Sequence, residues 1–147
     1  MYVVDEKDRL VPLADVPQLD TGAPLPMVFA REHRLGLCYW VVDEPPYHPT
    51  KQPVGMVRFH APYFHLAGPP GEEAIAGHPL AARGLHPYGV FRVDQSSLIR
   101  TLARMDSVHR CHNPEFFKKF NHYIFTFHDS TFECVAESFE SSVEQLD

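Results

Sequence analysis

Imidazoles and carboxylates recur together near the carboxyl end of the chain. From His122 to Glu137 polar and apolar residues alternate in period two on both sides of Asp129-Ser130, the pattern of a β-hairpin. With a two-residue turn, His128 opposes Thr131, Phe127 opposes Phe132, Thr126 opposes Glu133 and His122 opposes Glu137. One face then carries Tyr123, Phe125, Phe127, Phe132, Cys134 and Ala136 and reads as core. The other carries His122, Thr126, His128, Glu133 and Glu137 among Ile124, Thr131 and Val135 and reads as polar. On that face His128 and Glu133 are diagonal neighbours, roughly 7–8 Å apart at the backbone. An imidazole beside a carboxylate is what a general base uses, because the carboxylate fixes the tautomer and raises the ring's basicity. The same pairs suit a face presented to a ligand or partner, or screened ion pairs on a wet sheet. Asp-Ser is not the preferred Asn-Gly turn, so a longer loop would shift the register.

Ten histidines are many for this length, but number alone makes no site. His109, Cys111 and His112 form the densest metal-ligand group, whereas zinc needs three or four ligands converging at about 2.0–2.3 Å. No second ligand pair follows at finger-like spacing, so neither a metal site nor a cofactor is assigned. His60 and His65 have opposite strand parity and share a face only if Pro62 makes a bulge. His78, before Pro79, stands where a short helix would begin, as a cap or with its ring over a small pocket. It joins the five hairpin residues as a binding candidate. Gly68-Pro-Pro-Gly71 lacks the backbone donors of a phosphate-cradling loop, and no Gly-x-Ser-x-Gly elbow presents a serine nucleophile.

These side chains need a scaffold, and the chain divides into a turn-rich front and a regular back. Thirteen of the 14 prolines lie between Pro12 and Pro87. Residues 1–26 read as a proline-rich arm laid over the domain. Met27 to Arg31 and Leu35 to Val42 read as two strands of a hairpin, the second apolar on both faces and so expected to be central and covered on both sides. A proline-rich loop over Asp43 to Pro53 leads to a third strand, Val54 to Phe59, and an extended continuation to Leu66. A short helix is expected from Pro79 to Leu85, a type I turn over His86 to Gly89 and a strand over Val90 to Val93. Leu98, Ile99, Leu102 and Met105 make the stripe of an amphipathic helix that starts at Ser96. A second, shorter one has Asn113 as N-cap, Pro114 in its first turn, and Phe116, Phe117 and Phe120 on one face. The expected architecture is α+β: a mainly antiparallel sheet of hairpins, covered on one face by one or two helices, in a single domain of residues 1–147.

Composition narrows the function classes. The chain has 147 residues, 44% hydrophobic and 22% charged, close to globular averages, which excludes disordered, collagen-like and coiled-coil readings. Its longest apolar run, Leu37 to Val42, is far short of the roughly 18 residues a spanning helix needs, so no membrane association is expected. Charge at Asp5 precedes any apolar leader core, which makes the cytoplasm the expected compartment. Cys38, Cys111 and Cys134 are odd in number and widely spaced, the mark of reduced thiols buried as small apolar groups.

The net charge of −6 comes from the last 19 residues, which hold six acids and no Lys or Arg, and residues 141–147 read as a loose acidic tail. Arg83 to Lys119 carries seven bases against three acids. That surplus is too sparse a stripe for a phosphate backbone, and no nucleic-acid partner is expected.

Two stretches, GHPLAARGLHPYGVFRV (Gly77 to Val93) and FNHYIFTFHDSTFECVAESF (Phe120 to Phe139), resemble sequences of a group of uncharacterised bacterial proteins of similar size. The resemblance implies a stand-alone bacterial protein and carries no activity and no functional residue. The sequence therefore reads as a small cytoplasmic binding or interaction protein for a protein or small-molecule partner, as a single chain or a homo-oligomer. The alternative is a hydrolase or metal-assisted enzyme built on the hairpin histidines and carboxylates.

Overall fold

The computed structural model describes residues 2–42 and 52–146. Of the proline-rich loop expected over 43–53, residues 43–51 lie outside the described residues. The strands are β1 (Arg9–Pro12), β2 (Met27–Arg31), β3 (Arg34–Trp40), β4 (Gln52–His60), β5 (Phe64–Gly68), β6 (Val90–Asp94), β7 (Asn121–Thr126), β8 (Thr131–Ala136) and β9 (Ser138–Leu146), with one α-helix, α1 (Ser97–Asp106). They form two antiparallel sheets, a five-stranded one in the order β1-β6-β7-β8-β5 and a four-stranded one in the order β2-β3-β4-β9. The fold is α+β and mainly antiparallel. The division into two sheets was not foreseen: one face of the five-stranded sheet meets the helix and the other meets the second sheet.

The aromatic face of the β7–β8 hairpin supplies the core between the sheets. Tyr123, Phe125, Phe127, Phe132, Cys134 and Ala136 pack against Leu35, Leu37, Tyr39, Val57 and Phe59 of the four-stranded sheet. Phe59 lies at the centre, with ring centroids 5.6 Å from Phe132 and 6.1 Å from Phe125. The strand at Leu35 to Val42 is interior to its sheet but covered on one side only, since Trp40 on its outer face is 38% exposed. Of the thiols, Cys134 is buried, Cys38 half-buried and Cys111 exposed, so burial holds for Cys134 alone.

Two chain crossings join the sheets at one corner. At Ala61 (φ +47°) and Pro62 the chain leaves β4 and starts the edge strand β5, and at Glu137 it leaves β8 and starts β9. The Glu137 amide donates to the His60 carbonyl at 3.0 Å, so β4–β5 and β8–β9 form one bent antiparallel ribbon. The expected loose tail is therefore a strand: β9 pairs with β4 from Phe59↔Phe139 through Val54↔Glu144 to Gln52↔Leu146. Alternation of Phe139 and Val143 with Glu140 and Glu144 fits a strand; its acidity and the few apolar residues after Phe139 suggested a tail.

The second face of the five-stranded sheet is covered by α1, by the 3-10 segments Glu72–Gly77, Ala81–Arg83 and Pro114–Lys119, and by the amino-terminal arm. Ser96 caps α1 by accepting the Ile99 amide, and Leu98 and Leu102 face the sheet while Met105 is 66% exposed. Asn113 caps the Phe-rich turn through the Glu115 amide, with Phe117 and Phe120 inward and Phe116 partly outward. The helix expected from Pro79 is only the 3-10 turn Ala81–Arg83, and Tyr88 has a left-handed φ of +57° where a type I turn would need a negative one.

Candidate functional site

The β7–β8 register determines which polar groups meet. The connection is a four-residue loop closed by the Phe127 amide on the Ser130 carbonyl at 2.8 Å, so Thr126 pairs with Thr131, Ile124 with Glu133 and His122 with Val135. The expected pairing is displaced by two residues: Thr126 meets Thr131 in place of Glu133, and His122 meets Val135 in place of Glu137. Such a displacement preserves which residues share a face but changes every cross-strand partner. Glu133 therefore has His122 as its diagonal neighbour in place of His128, and His122 does not oppose Glu137. Of the alternatives for this face, screened ion pairs on a wet sheet are excluded at His122 and Glu133, because α1 and the arm lie over them: their side chains are 0% and 2% exposed.

Glu133 is the centre of a buried polar cluster. Its Oε2 accepts from Tyr2 Oη at 2.7 Å and from His122 Nε2 at 2.7 Å, and its Oε1 accepts from His78 Nε2 at 2.7 Å. His78 Nδ1 accepts the Leu80 amide at 3.1 Å, so the proton of this ring is on Nε2, directed at the carboxylate. His122 Nδ1 lies 2.8 Å from Ser96 Oγ. With the hydroxyl donating to Nδ1 and accepting from Ile99 N, the second ring also carries its proton on Nε2. Three donors thus converge on one carboxylate. Burial alone pushes the Glu133 carboxyl up, but the hydrogen bonds from His122, His78 and Tyr2 outweigh it and hold it at about 2. Burial and the adjacent carboxylate push the Tyr2 phenol up, so it remains a donor.

Sequence reasoning included His78, His122 and Glu133 but missed Tyr2 and Ser96. Ser96 was visible only as a helix boundary, and a single tyrosine at the start of the arm carries no local signal. The remaining candidates lie elsewhere. Thr126 Oγ1 donates to the His86 carbonyl at 2.7 Å and accepts the Gly89 amide at 2.9 Å, pinning that turn. Glu137 pairs with Lys119 at 2.6 Å on the surface. His128, at the hairpin loop, places Nδ1 2.8 Å from Tyr88 Oη and 3.2 Å from Glu72 Oε1 beside a small surface cleft. Among the described residues no group of three or more His, Cys, Asp or Glu side chains is arranged to hold a metal ion, and His112 of the interhelical loop instead meets Asp106 at 2.7 Å.

The cluster reaches the surface region at Ser96, which lines a cleft of about 660 Å³ between α1, the Phe-rich turn and the ends of β6 and β7. Val93, Ile99, Ala103, Phe117 and Phe120 form its apolar lining; Lys7, Arg100 and Lys118 stand around it. Asp8 occupies the start of α1, its Oδ1 accepting the Ser97 amide at 2.7 Å and its Oδ2 the Ser97 hydroxyl. The anion-attracting end of the helix is thereby filled from within the chain.

No protein-family model, curated protein or solved structure matches the chain.

Proposed function

We propose that the chain is a small binding protein whose ligand site is the cleft between α1 and the Phe-rich turn. The observation that carries this reading is the fixing of the cleft wall by Ser96. Through His122 and Glu133, the entry of α1 is tied to β7, β8, the arm at Tyr2 and the segment at His78 by contacts of 2.7–2.8 Å. A fully partnered buried network of this kind rigidifies its surroundings, and a concave, largely apolar site with a few fixed polar groups is what small-molecule binding uses. The volume of about 660 Å³ lies within the range of such sites.

The order Ser96, His122, Glu133 has the composition of a hydrolase triad, but the bonds favour binding. Ser96 Oγ accepts the Ile99 amide as a helix cap, and the Ser97 amide is taken by Asp8, whose negative charge stands where an oxyanion would develop. Three free thiols, with Cys111 exposed, favour a reducing compartment such as the cytoplasm.

Ligand-observed NMR with a mixture of small aromatic and aliphatic fragments, on the parent and on Ala103→Trp, tests the reading. Binding to the parent that is lost when the indole fills the cleft supports it. Equal binding to both proteins would place the site elsewhere, and hydrolysis of an activated ester that disappears in Ser96→Ala would favour the hydrolase.

A further inference from the structure

We infer that the cleft takes a small organic anion, a molecule with a flat aromatic or short alkyl body and a single carboxylate group. This rests on the cleft being the binding site and adds the chemistry of what enters it. The body is specified by the lining: the rings of Phe117 and Phe120, with Ile99 and Ala103, offer apolar surface of the kind that accepts a ring or a short chain. The charge is specified by the cations. Lys7, Arg100 and Lys118 line the cleft against one acid, Asp94, and Asp94 is already held by Arg92 at 2.7 Å.

The three cations are not equivalent. Arg100 is engaged inside the fold, with Nη2 bonded to Asp5 Oδ2 at 2.7 Å and to Ser97 Oγ at 2.8 Å and Nη1 bonded to the Gln95 carbonyl. It shapes the rim and has little left to offer a ligand. Lys118 pairs with Glu115 at 2.7 Å, but both side chains are about 70% exposed, so the pair exchanges for a ligand carboxylate at little cost. Lys118 and Lys7 are therefore the groups that receive the anion, from the Phe-rich turn on one side and the arm on the other.

A multiply charged phosphate fits less well than a carboxylate. The start of α1, which would ordinarily stabilise it, is held by Asp8, and because the Asp5 and Asp8 carboxylates beside Arg100 oppose every added negative charge, two exposed lysines offset one charge better than two. The chain as a whole carries −6, so a singly charged ligand is drawn in by the local lysines and not by the overall field.

The test uses three matched probes, 2-naphthoate, 2-naphthalenemethanol and 2-naphthylmethylammonium, titrated calorimetrically into the whole protein. 2-Naphthoate should bind tightest, roughly three- to tenfold better than the alcohol at low salt, the gain expected from screened surface lysines. That advantage should vanish near about 0.5 M salt. It should also vanish in Lys7→Gln/Lys118→Gln at unchanged Tm, while binding of the alcohol persists. Ala103→Trp should abolish binding of all three. Equal binding of naphthoate and the alcohol, or preference for the ammonium probe, overturns the anion inference and leaves the cleft reading standing. No binding of any probe, or binding unaffected by Ala103→Trp, removes the cleft reading and the inference with it.

Discussion

His122 Nε2 and Glu133 Oε2 meet at 2.7 Å diagonally across the β7–β8 pair, on a sheet face enclosed by a helix and the amino-terminal arm. A carboxylate in such a place is tolerated because each of its oxygens is bonded, and it becomes costly as soon as its partners are left unmatched.

Replacing Glu133 with Ala should therefore destabilise the protein by about 3–5 kcal/mol, since it strands three buried donors. Glu133→Gln should also be costly, because its amide turns a donor toward groups that themselves donate. Denaturant unfolding of both variants checks this. A loss below about 1 kcal/mol for Glu133→Ala would mean that water reaches the cluster.

The same carboxylate couples stability to acid. The folded protein holds Glu133 at about 2, below the ordinary 4.5, so its ionised form is favoured by folding. Its contribution is fully present above 4.5 and is lost as pH falls through about 2, amounting to roughly 3 kcal/mol over that window. Unfolding free energies measured across the window for the parent and Glu133→Gln should show a steeper decline in the parent. Parallel curves would assign the acid sensitivity to other carboxyls.

Tyr2 tests whether the arm belongs to the site. Its hydroxyl bonds to a buried charge, whereas the Tyr39 hydroxyl donates to the neutral Pro17 carbonyl at 2.9 Å. Tyr2→Phe should therefore cost about 1.5–3 kcal/mol and Tyr39→Phe about 1 kcal/mol. The reverse order in thermal or denaturant unfolding would detach the arm from the cluster.

How far the sequence revealed this arrangement follows from what each signal measures. Period-two alternation reports which residues share a face, and it correctly grouped His122 with Glu133 and Phe125 with Phe132. It does not report the partner across the ladder, which depends on the Phe127 to Ser130 loop, nor whether a polar face is later covered. The cap at Asn113 and the start of α1 near Ser96 were local and legible, although the capping role of Ser96 was not. The Tyr2 and His78 contacts with Glu133 join segments far apart in the chain, and β9 was obscured because its acids suggested solvent more strongly than its alternation suggested a sheet.

Truncation of β9 follows from that correction. Removing residues 141–147 takes away the partner of β4 from Val57 to Gln52 and leaves a new open edge. The Tm should fall by more than about 4 °C, the shift expected for a loss of about 1 kcal/mol or more in a chain of this size, and the truncated protein should associate at raised concentration. An unchanged Tm and a monomeric species in sedimentation would show that these residues are dispensable.

Backbone amide NMR mapping with 2-naphthoate tests the binding reading most directly. The largest shift changes are expected at Ser96, Ile99, Ala103 and Asn121, around the cleft whose wall Glu133 holds through His122. Changes centred on Glu72, Glu73 and Asp129 beside His128, or none at saturating probe, would contradict it.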